Sequence, residues 1–232
     1  MHSEPRTHTD ERVSKRPRED DNKQEIRALT EGGQWIKREA LLEQLKEDKS
    51  QLFEEKAFVM FLLEHYGCGV KFASAALKND PEIMEAAMRH QPRALEHKGS
   101  NWEPTRDFLL EAMEKDGSAL EFVGKELQDD DDVVRTALES DGDAIEFASE
   151  RLRRDKDAIR TAIKQYPDAI FKAPEEFVRD PEMVLWAVKC ADHIDVAKDL
   201  IGDIDPDVIK NLDREGVKEL DEEVKALLQD ML

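Results

Sequence analysis

Two pairs of histidine and cysteine have the spacing of zinc ligands, namely His65 with Cys68, and Cys190 with His193. Zn²⁺ prefers imidazole nitrogens and thiolates, and a structural zinc site needs four such ligands. The second pair lies five periods of 25 residues after the first. Since packed helices lie about 8 to 10 Å apart, a stacked array would hold the two pairs too far apart to share an ion. We therefore expect no metal site.

Two acidic segments are similar to calcium-binding loops. One is the run 129–132, and the other begins at Asp203. The second segment has Val208 where the loop needs a glycine for its sharp turn, and Arg214 where the bidentate glutamate belongs. We interpret both segments as helix caps.

The sequence offers no visible catalytic group. His65, His90, His97 and His193 are spread over the chain, so we expect them not to converge beside a nucleophile. Gly32-Gly33 lacks the lysine of a phosphate-binding loop. The sequence therefore predicts a protein that is not an enzyme, with no catalytic or cofactor-binding residue. Because the chain has 55 aspartates and glutamates, an acid/base site assembled from distant carboxylates stays open as an alternative.

A cluster of cations between residues 151 and 164 interrupts an otherwise acidic chain, whose net charge is −20. The cluster is either a solvated face with internal ion pairs or a docking patch for an acidic partner. Nucleic-acid binding through the same patch is a further alternative, although the net charge disfavours nucleic acid and anionic membranes alike. The members are Arg151, Arg153, Arg154, Lys156, Arg160 and Lys164.

Leu185 and Trp186 form a second candidate for partner binding. They stand where the preceding unit has the polar pair Arg160-Thr161, so their helix is apolar nearly all round. Such a surface is either buried by another element, for example the helix that bears Trp35, or exposed as a binding anchor.

Composition favours an all-α protein. Aromatic residues make up only 6 % of the chain, and glycine and proline are scarce, at 10 and 9 residues. With two cysteines, no apolar leader and no apolar run long enough to span a bilayer, the sequence predicts a soluble, cytoplasmic protein without a membrane partner. The segment Lys15-Arg16-Pro17-Arg18 resembles a short nuclear import signal, so a nuclear location stays open.

Comparison of the sequence with itself reveals a period of 25 residues. Four apolar columns of the period stand at i, i+1, i+4 and i+5, which is one face of an α-helix. An aspartate at the same phase precedes each helix, and proline often follows it, which is the pattern of an N-cap. The last two apolar columns contain Ala87, Ala112, Ala137, Ala162 and Ala187, each followed by Met88, Met113, Leu138, Ile163 or Val188. The cap positions are Asp80, Asp130, Asp155, Asp180 and Asp205.

A second helix is predicted in each unit after a breaker such as Asp116-Gly117. Ser118 and Asp143 stand three residues before a glutamate, which is the spacing of a capping box. The sequence thus predicts tandem helix-turn-helix units stacked as a short α-solenoid. We divide the chain into a disordered tail (1–24), an N-terminal capping helix region (25–54) with a helix from about 34 to 48, and an array of about seven units (55–232).

The segment Asp141-Gly-Asp-Ala-Ile-Glu-Phe-Ala-Ser149, followed by Leu152 and Asp155, resembles the motif of the domain-of-unknown-function 4116 family. Weaker copies cover about residues 55 to 210. The resemblance implies a tandem helical architecture and transfers no catalytic residue. Because helical arrays expose extended surfaces, we expect a protein-interaction scaffold that binds a protein or peptide. The candidate contact residues are Arg151, Arg153, Arg154, Arg160, Lys164, Leu185 and Trp186.

Overall fold

A computed structural model describes the backbone of residues 35–191, 193–212 and 214–231, and the side chains of residues 42–191, 193–212 and 216–229. Within these ranges every regular element is a helix and no strand occurs. The all-α class is therefore confirmed. The predicted tail 1–24 and its basic segment 15–18 lie outside the described residues.

Short α-helices alternate with 3₁₀ helices along the chain. The α-helices are α1 (Trp35–Asp48), α2 (Lys56–Tyr66), α3 (Pro81–His90), α4 (Arg106–Lys115), α5 (Asp131–Ser140), α6 (Glu150–Arg153), α7 (Lys156–Gln165), α8 (Glu175–Val178), α9 (Pro181–Cys190), α10 (Ile194–Asp203), α11 (Pro206–Ile209), α12 (Arg214–Lys218) and α13 (Glu222–Met231). The 3₁₀ helices are Ser50–Glu54, Val70–Phe72, Leu77–Asn79, Pro92–His97, Gly117–Phe122, Gly142–Phe147 and Pro167–Lys172.

The predicted aspartate caps start the helices as expected. The Oδ1 atom of Asp130 accepts the backbone N–H groups of Asp132 and Val133, both at 3.0 Å. Asp155 accepts two N–H groups at 2.9 Å in the same way. These bonds satisfy donors that the first turn of a helix leaves free, so each cap fixes where its helix begins. The caps at Asp80, Asp180 and Asp205 are also confirmed.

The second helix of each unit differs from the prediction. In the units that begin at residues 80, 105, 130 and 155 it is a six-residue 3₁₀ helix. In two of them the breaker itself is the cap, because Asp116 accepts the N–H of Ser118 at 3.1 Å and Asp141 accepts that of Asp143 at 3.0 Å. The capping boxes predicted at Ser118 and Asp143 are therefore wrong. The helix starts at the glycine that follows each aspartate, two residues earlier than a box would require.

The core is built from the four apolar columns of the sequence period. Each α-helix contacts the α-helix of the next unit, from α2 with α3 through to α7 with α9, and the six-residue 3₁₀ helices also contact one another in order. Burial of about 25 cal/mol per Å² of apolar surface against the neighbours stabilises helices that are too short to persist alone. Fully enclosed members include Ile83, Met84, Leu109, Met113, Val133, Ala137, Leu138, Ile159, Ala162, Ile163, Met183, Val184 and Ala187.

Gly142 lies at a close approach between two units. A Cβ atom added at this residue would lie 2.3 Å from the backbone oxygen of Ala162, one unit further on. Gly117 has the same relation to the backbone oxygen of Ala137, at 2.1 Å. At these two positions the absence of a side chain lets the 3₁₀ helix rest directly on the end of the next α-helix. Pro92 and Pro167 stand at the same phase of other units.

The two ends of the described chain depart from this pattern. At the start, α1 packs on the 3₁₀ helices Ser50–Glu54 and Val70–Phe72. Near the end, α10 is an α-helix of ten residues at the place where earlier units have a 3₁₀ helix, and α11 ends after four residues. The last predicted unit, 205–229, is therefore not a helix pair of the standard form.

The close approach at Gly142 leads to a stability prediction. We expect Gly142→Ala to lower the free energy of unfolding by about 1–3 kcal/mol, because the new methyl group must displace backbone. The matched control is Gly202→Ala in α10, where an added Cβ has no heavy atom within 4 Å. This change should raise stability by about 0.5 kcal/mol. Urea denaturation followed by circular dichroism measures both, and equal stability of Gly142→Ala and wild type would contradict the close approach.

Candidate functional site

The cations of the predicted patch are engaged in ion pairs with neighbouring units. The guanidinium of Arg151 contacts Asp129 at 2.9 Å and Asp131 at 2.7 Å. The Ser149 hydroxyl and Arg151 together hold the pKa of Asp129 below its usual range. Arg151 therefore links α6 to the start of α5 instead of facing solvent as a free charge.

The remaining patch residues repeat this arrangement with two exceptions, Arg153 and Lys164. Arg154 contacts Glu150 at 2.7 Å and Glu176 at 3.2 Å. Arg160 pairs with Glu182, and Arg153 donates to the backbone oxygen of Lys172 at 3.4 Å. Lys164 is exposed and has no hydrogen bond or ion pair among the described residues. The sequence left open whether the patch is a solvated face with internal ion pairs or a docking patch. Arg151, Arg154, Lys156 and Arg160 form internal ion pairs.

A second set of ion pairs joins the first residue of one helix to the cap of the next. The Nζ atom of Lys56 lies 2.8 Å from Asp80, and the guanidinium of Arg106 lies 3.2 Å from Asp130. Arg106 is the largest cause of the lowered pKa of Asp130, followed by the backbone N–H of Val133. Lys156 makes the same contact with Asp180 at 3.3 Å. Each of these exposed ion pairs contributes little to stability. Because each pair joins two consecutive units, the pairs help to align the units.

Burial and exposure were the two alternatives for Leu185 and Trp186, and each applies to one of the two residues. Leu185 is buried in the core that α9 shares with its neighbours, and Trp186 is 38 % exposed. The elements that contact α9 are α7, α8, α10 and the 3₁₀ helix Pro167–Lys172. The helix that bears Trp35 packs at the other end of the described chain, on the 3₁₀ helices near residues 50 and 70. Burial is therefore correct for Leu185 and exposure for Trp186.

A row of acidic side chains runs along the starts of the 3₁₀ helices. Burial is the largest cause of a raised pKa at Asp141, and the charges of Asp143 and Asp116 raise it further. In the next unit the position equivalent to Asp141 is occupied by Tyr166, whose side chain is 50 % exposed. The sequence placed Asp116 in a breaker and Asp143 in a capping box, and in the structure the charges of both act on the carboxyl group of Asp141.

Three of the four histidines of the described residues line the same cavity. His65, His90 and His97 line one cavity of about 760 Å³, together with Cys68. The sequence contained a signal for this arrangement, because His65 and His90 have the same phase in consecutive units and equivalent positions of consecutive units are neighbours. The other lining residues are Leu42, Leu63, Glu64, Tyr66, Gly67, Gly69, Val70, Lys71, Phe72, Ala87, Gln91, Arg93, Ala94 and Glu96.

Three further properties of the described residues bear on ligands and membranes. No three histidine, cysteine, aspartate or glutamate side chains in this part of the chain are placed so that they could hold a metal ion. Cys68 and Cys190 are not joined by a disulfide bond. Over the same residues, no helix has the length and apolar character required to cross a membrane.

The described residues define an all-helical protein in which ten-residue α-helices alternate with short 3₁₀ helices. Residues 105–153 match the family described as domain of unknown function (DUF4116). This segment belongs to that family, which confirms the predicted resemblance, and it spans α4, α5 and α6 with the two 3₁₀ helices between them. Neither the curated proteins nor the solved structures contained a match.

The raised pKa of Asp141 predicts a pH-dependent stability difference. A carboxyl group whose pKa is higher in the folded state stabilises the fold only while it is protonated, and this contribution is lost as the pH rises through that pKa. Asp141→Asn keeps an acceptor for the Asp143 N–H and removes the charge. We expect the variant to be more stable than wild type at pH 7.

The measurement is urea denaturation at pH 7 and at about pH 3.5, which lies below the ordinary pKa of aspartate. The advantage of Asp141→Asn should shrink at the lower pH. Asp168→Asn, at an exposed position of the Pro167–Lys172 helix, serves as the control. A variant that is less stable than wild type at pH 7, or whose advantage is independent of pH, would show that the Asp141 charge is not strained by burial.

Proposed function

We propose that this protein is a non-catalytic interaction scaffold, built as a short α-solenoid, whose outer helix surface binds a protein or peptide. The helix starts support the solenoid, because α3, α4, α5, α7 and α9 begin at residues 81, 106, 131, 156 and 181. Contacts between each α-helix and its successor also support it. A scaffold of this kind presents one continuous surface on which several units can touch the same partner.

The exposed Trp186 carries the proposal that the surface binds a partner. Earlier units have Thr136 and Thr161 at the same phase, and both hydroxyls donate to a backbone carbonyl of their own helix. Trp186 instead leaves a large ring partly in solvent beside the buried Leu185. Tryptophan is among the residues that most often carry the binding energy of a protein interface, because its ring covers a large apolar area.

The charges around Trp186 favour a protein partner over a phosphate backbone. Nucleic acids are bound chiefly by cations that neutralise phosphates. Arg151, Arg154, Lys156 and Arg160 are engaged by carboxylates of adjoining units, so phosphate binding would have to displace these ion pairs. Lys164, one unit before Lys189 on the same side of its helix, is the patch residue that is free to contact a partner.

The test compares Trp186→Thr with wild type as tagged full-length baits in lysate of the source organism, with quantitative mass spectrometry as the readout. Threonine is the residue that neighbouring units carry at this phase, so the variant should fold normally. We expect at least one protein captured by wild type to fall tenfold or more with Trp186→Thr, because about 1.4 kcal/mol of lost contact suffices for that change.

Glu111→Thr is the matched control, since residue 111 is exposed at the same phase of another unit. Circular dichroism first establishes that both variants retain helix content and thermal stability. Capture that is unaffected by Trp186→Thr, or reduced equally by Glu111→Thr, would contradict a binding surface centred on Trp186.

A further inference from the structure

The outer surface of α5, α7 and α9 presents three exposed side chains of different character. Glu139 lies near the end of α5, and Lys164 occupies the equivalent position in α7. Among the described residues, neither the Glu139 carboxylate nor the Lys164 ammonium group has an ion pair or hydrogen bond. Trp186, in α9, is 38 % exposed and lies three residues before the equivalent position. This offset is about 4.5 Å along the helix, which the long Lys164 side chain can span.

Contacts between these helices indicate that the three side chains lie in a row. The Nε2 atom of Gln165 donates to the backbone oxygen of Glu139, so the ends of α5 and α7 lie against each other. Arg160 of α7 pairs with Glu182 of α9, so these two helices are also neighbours. Packed helices lie about 8 to 10 Å apart. The outer row, defined as Glu139, Lys164 and Trp186, therefore crosses three helices in steps of about that length.

A polyproline II segment has the repeat that the outer row requires. It has three residues per turn and rises about 3.1 Å per residue, so every third side chain lies on one face at intervals of about 9 Å. A β-strand places every second side chain on one face, about 6.6 Å apart, which does not match the step. An α-helix places residues seven apart at about 10.5 Å, but it binds through an apolar groove. The three helices instead expose one large apolar ring.

The chemistry of the outer row selects the order of residues in such a segment. Proline-rich segments dock on aromatic side chains, and because polyproline II is already extended before binding, its ordering costs little entropy. One ring can therefore anchor it. Lys164 complements a carboxylate, and Glu139 complements a cation. Since exposed ion pairs add little affinity, these two charges fix the register of the segment on the ring.

We propose that the outer row binds a polyproline II segment of a partner protein, with a proline on Trp186, an acidic residue three positions away on Lys164 and a basic residue six positions away on Glu139. The inference rests on the proposed scaffold function and names the chemistry of its partner. The units before α9 have Thr161 and Thr136 in place of the ring, and both hydroxyls donate within their own helix. The row therefore has one anchor and one register.

The experiment titrates the full-length protein with blocked heptapeptides. The first has glutamate at its fourth position, lysine at its seventh and proline elsewhere, and the second has the two charges exchanged. Both are also made in reverse order, because a polyproline II segment can bind in either direction. Chemical-shift changes in ¹H–¹⁵N spectra give affinity and location.

We expect the first charge order, in one direction, to bind at least fivefold more tightly than the exchanged order. The shifts should lie in residues 136–140, 160–165 and 182–190. Equal affinities of the two charge orders, or no shift at about 10 mM peptide, would overturn the proposal.

A charge-reversed variant tests the register directly. Lys164→Glu with Glu139→Lys keeps the net charge and should make the exchanged peptide the tighter ligand, which a folding defect cannot produce. The matched control is Lys125→Glu with Glu126→Lys, an exposed pair outside the outer row, which should keep the preference of wild type. A charge-reversed variant that retains the wild-type preference, with unchanged thermal stability by circular dichroism, would contradict the assignment.

Trp186→Thr separates this inference from the scaffold function on which it rests. The variant should lose binding of all four peptides, and binding that survives the change would overturn the anchor. If Trp186→Thr lowers capture from lysate while the peptides bind without charge preference, the polyproline II register is wrong and the scaffold function stands. If the peptides bind as expected while capture from lysate is unaffected, the outer row is supported and the scaffold function is contradicted.

Discussion

An α-helix of ten residues, the length of α3, α4, α5, α7 and α9, is too short to persist alone in water. Each of these helices must therefore bury its apolar face against the next one, and the rest of the structure serves that contact. Side-chain caps fix the start of each helix, so that the buried columns keep the same register. The cap of α4 is Thr105, and the caps of the other four helices are aspartates. Gly117 and Gly142 let the 3₁₀ helices approach the following helix closely enough to close the core.

The charged surface is explained by the same contact between units. A chain with a net charge of −20 repels itself, and many of its lysines and arginines reduce this repulsion locally by pairing with carboxylates of an adjoining unit. Because these cations are paired within the protein, few features of the described surface are left to bind a partner. Those that remain are the exposed Trp186, Lys164, which forms no ion pair among the described residues, and the cavity lined by His65 and His90.

Local and periodic features were predictable from the sequence. The caps at Asp80 and Asp155 depend on a few neighbouring residues, and the buried alanine columns follow from the period. The type of the second helix was not predictable from the sequence. The capping-box spacing at Ser118 competes with a cap at Asp116, and only the backbone geometry decides between the two caps. Leu185 and Trp186 are adjacent in sequence, and only the rotation of α9 in the structure decides which is buried. The cavity was missed because His65 and His90 were treated as distant when their equal phase makes them neighbours.

Mutual dependence of the units is the central claim, and the segment 105–153, which matches the family, offers the most direct measurement. This fragment contains α4, α5 and α6 but lacks the flanking helices that cover its two ends. Circular dichroism should show that the isolated fragment has much less helix per residue than the full chain and no cooperative thermal transition. A fragment with the helix content of the full chain and a cooperative transition would contradict the claim, because its helices would then need no neighbours beyond the segment.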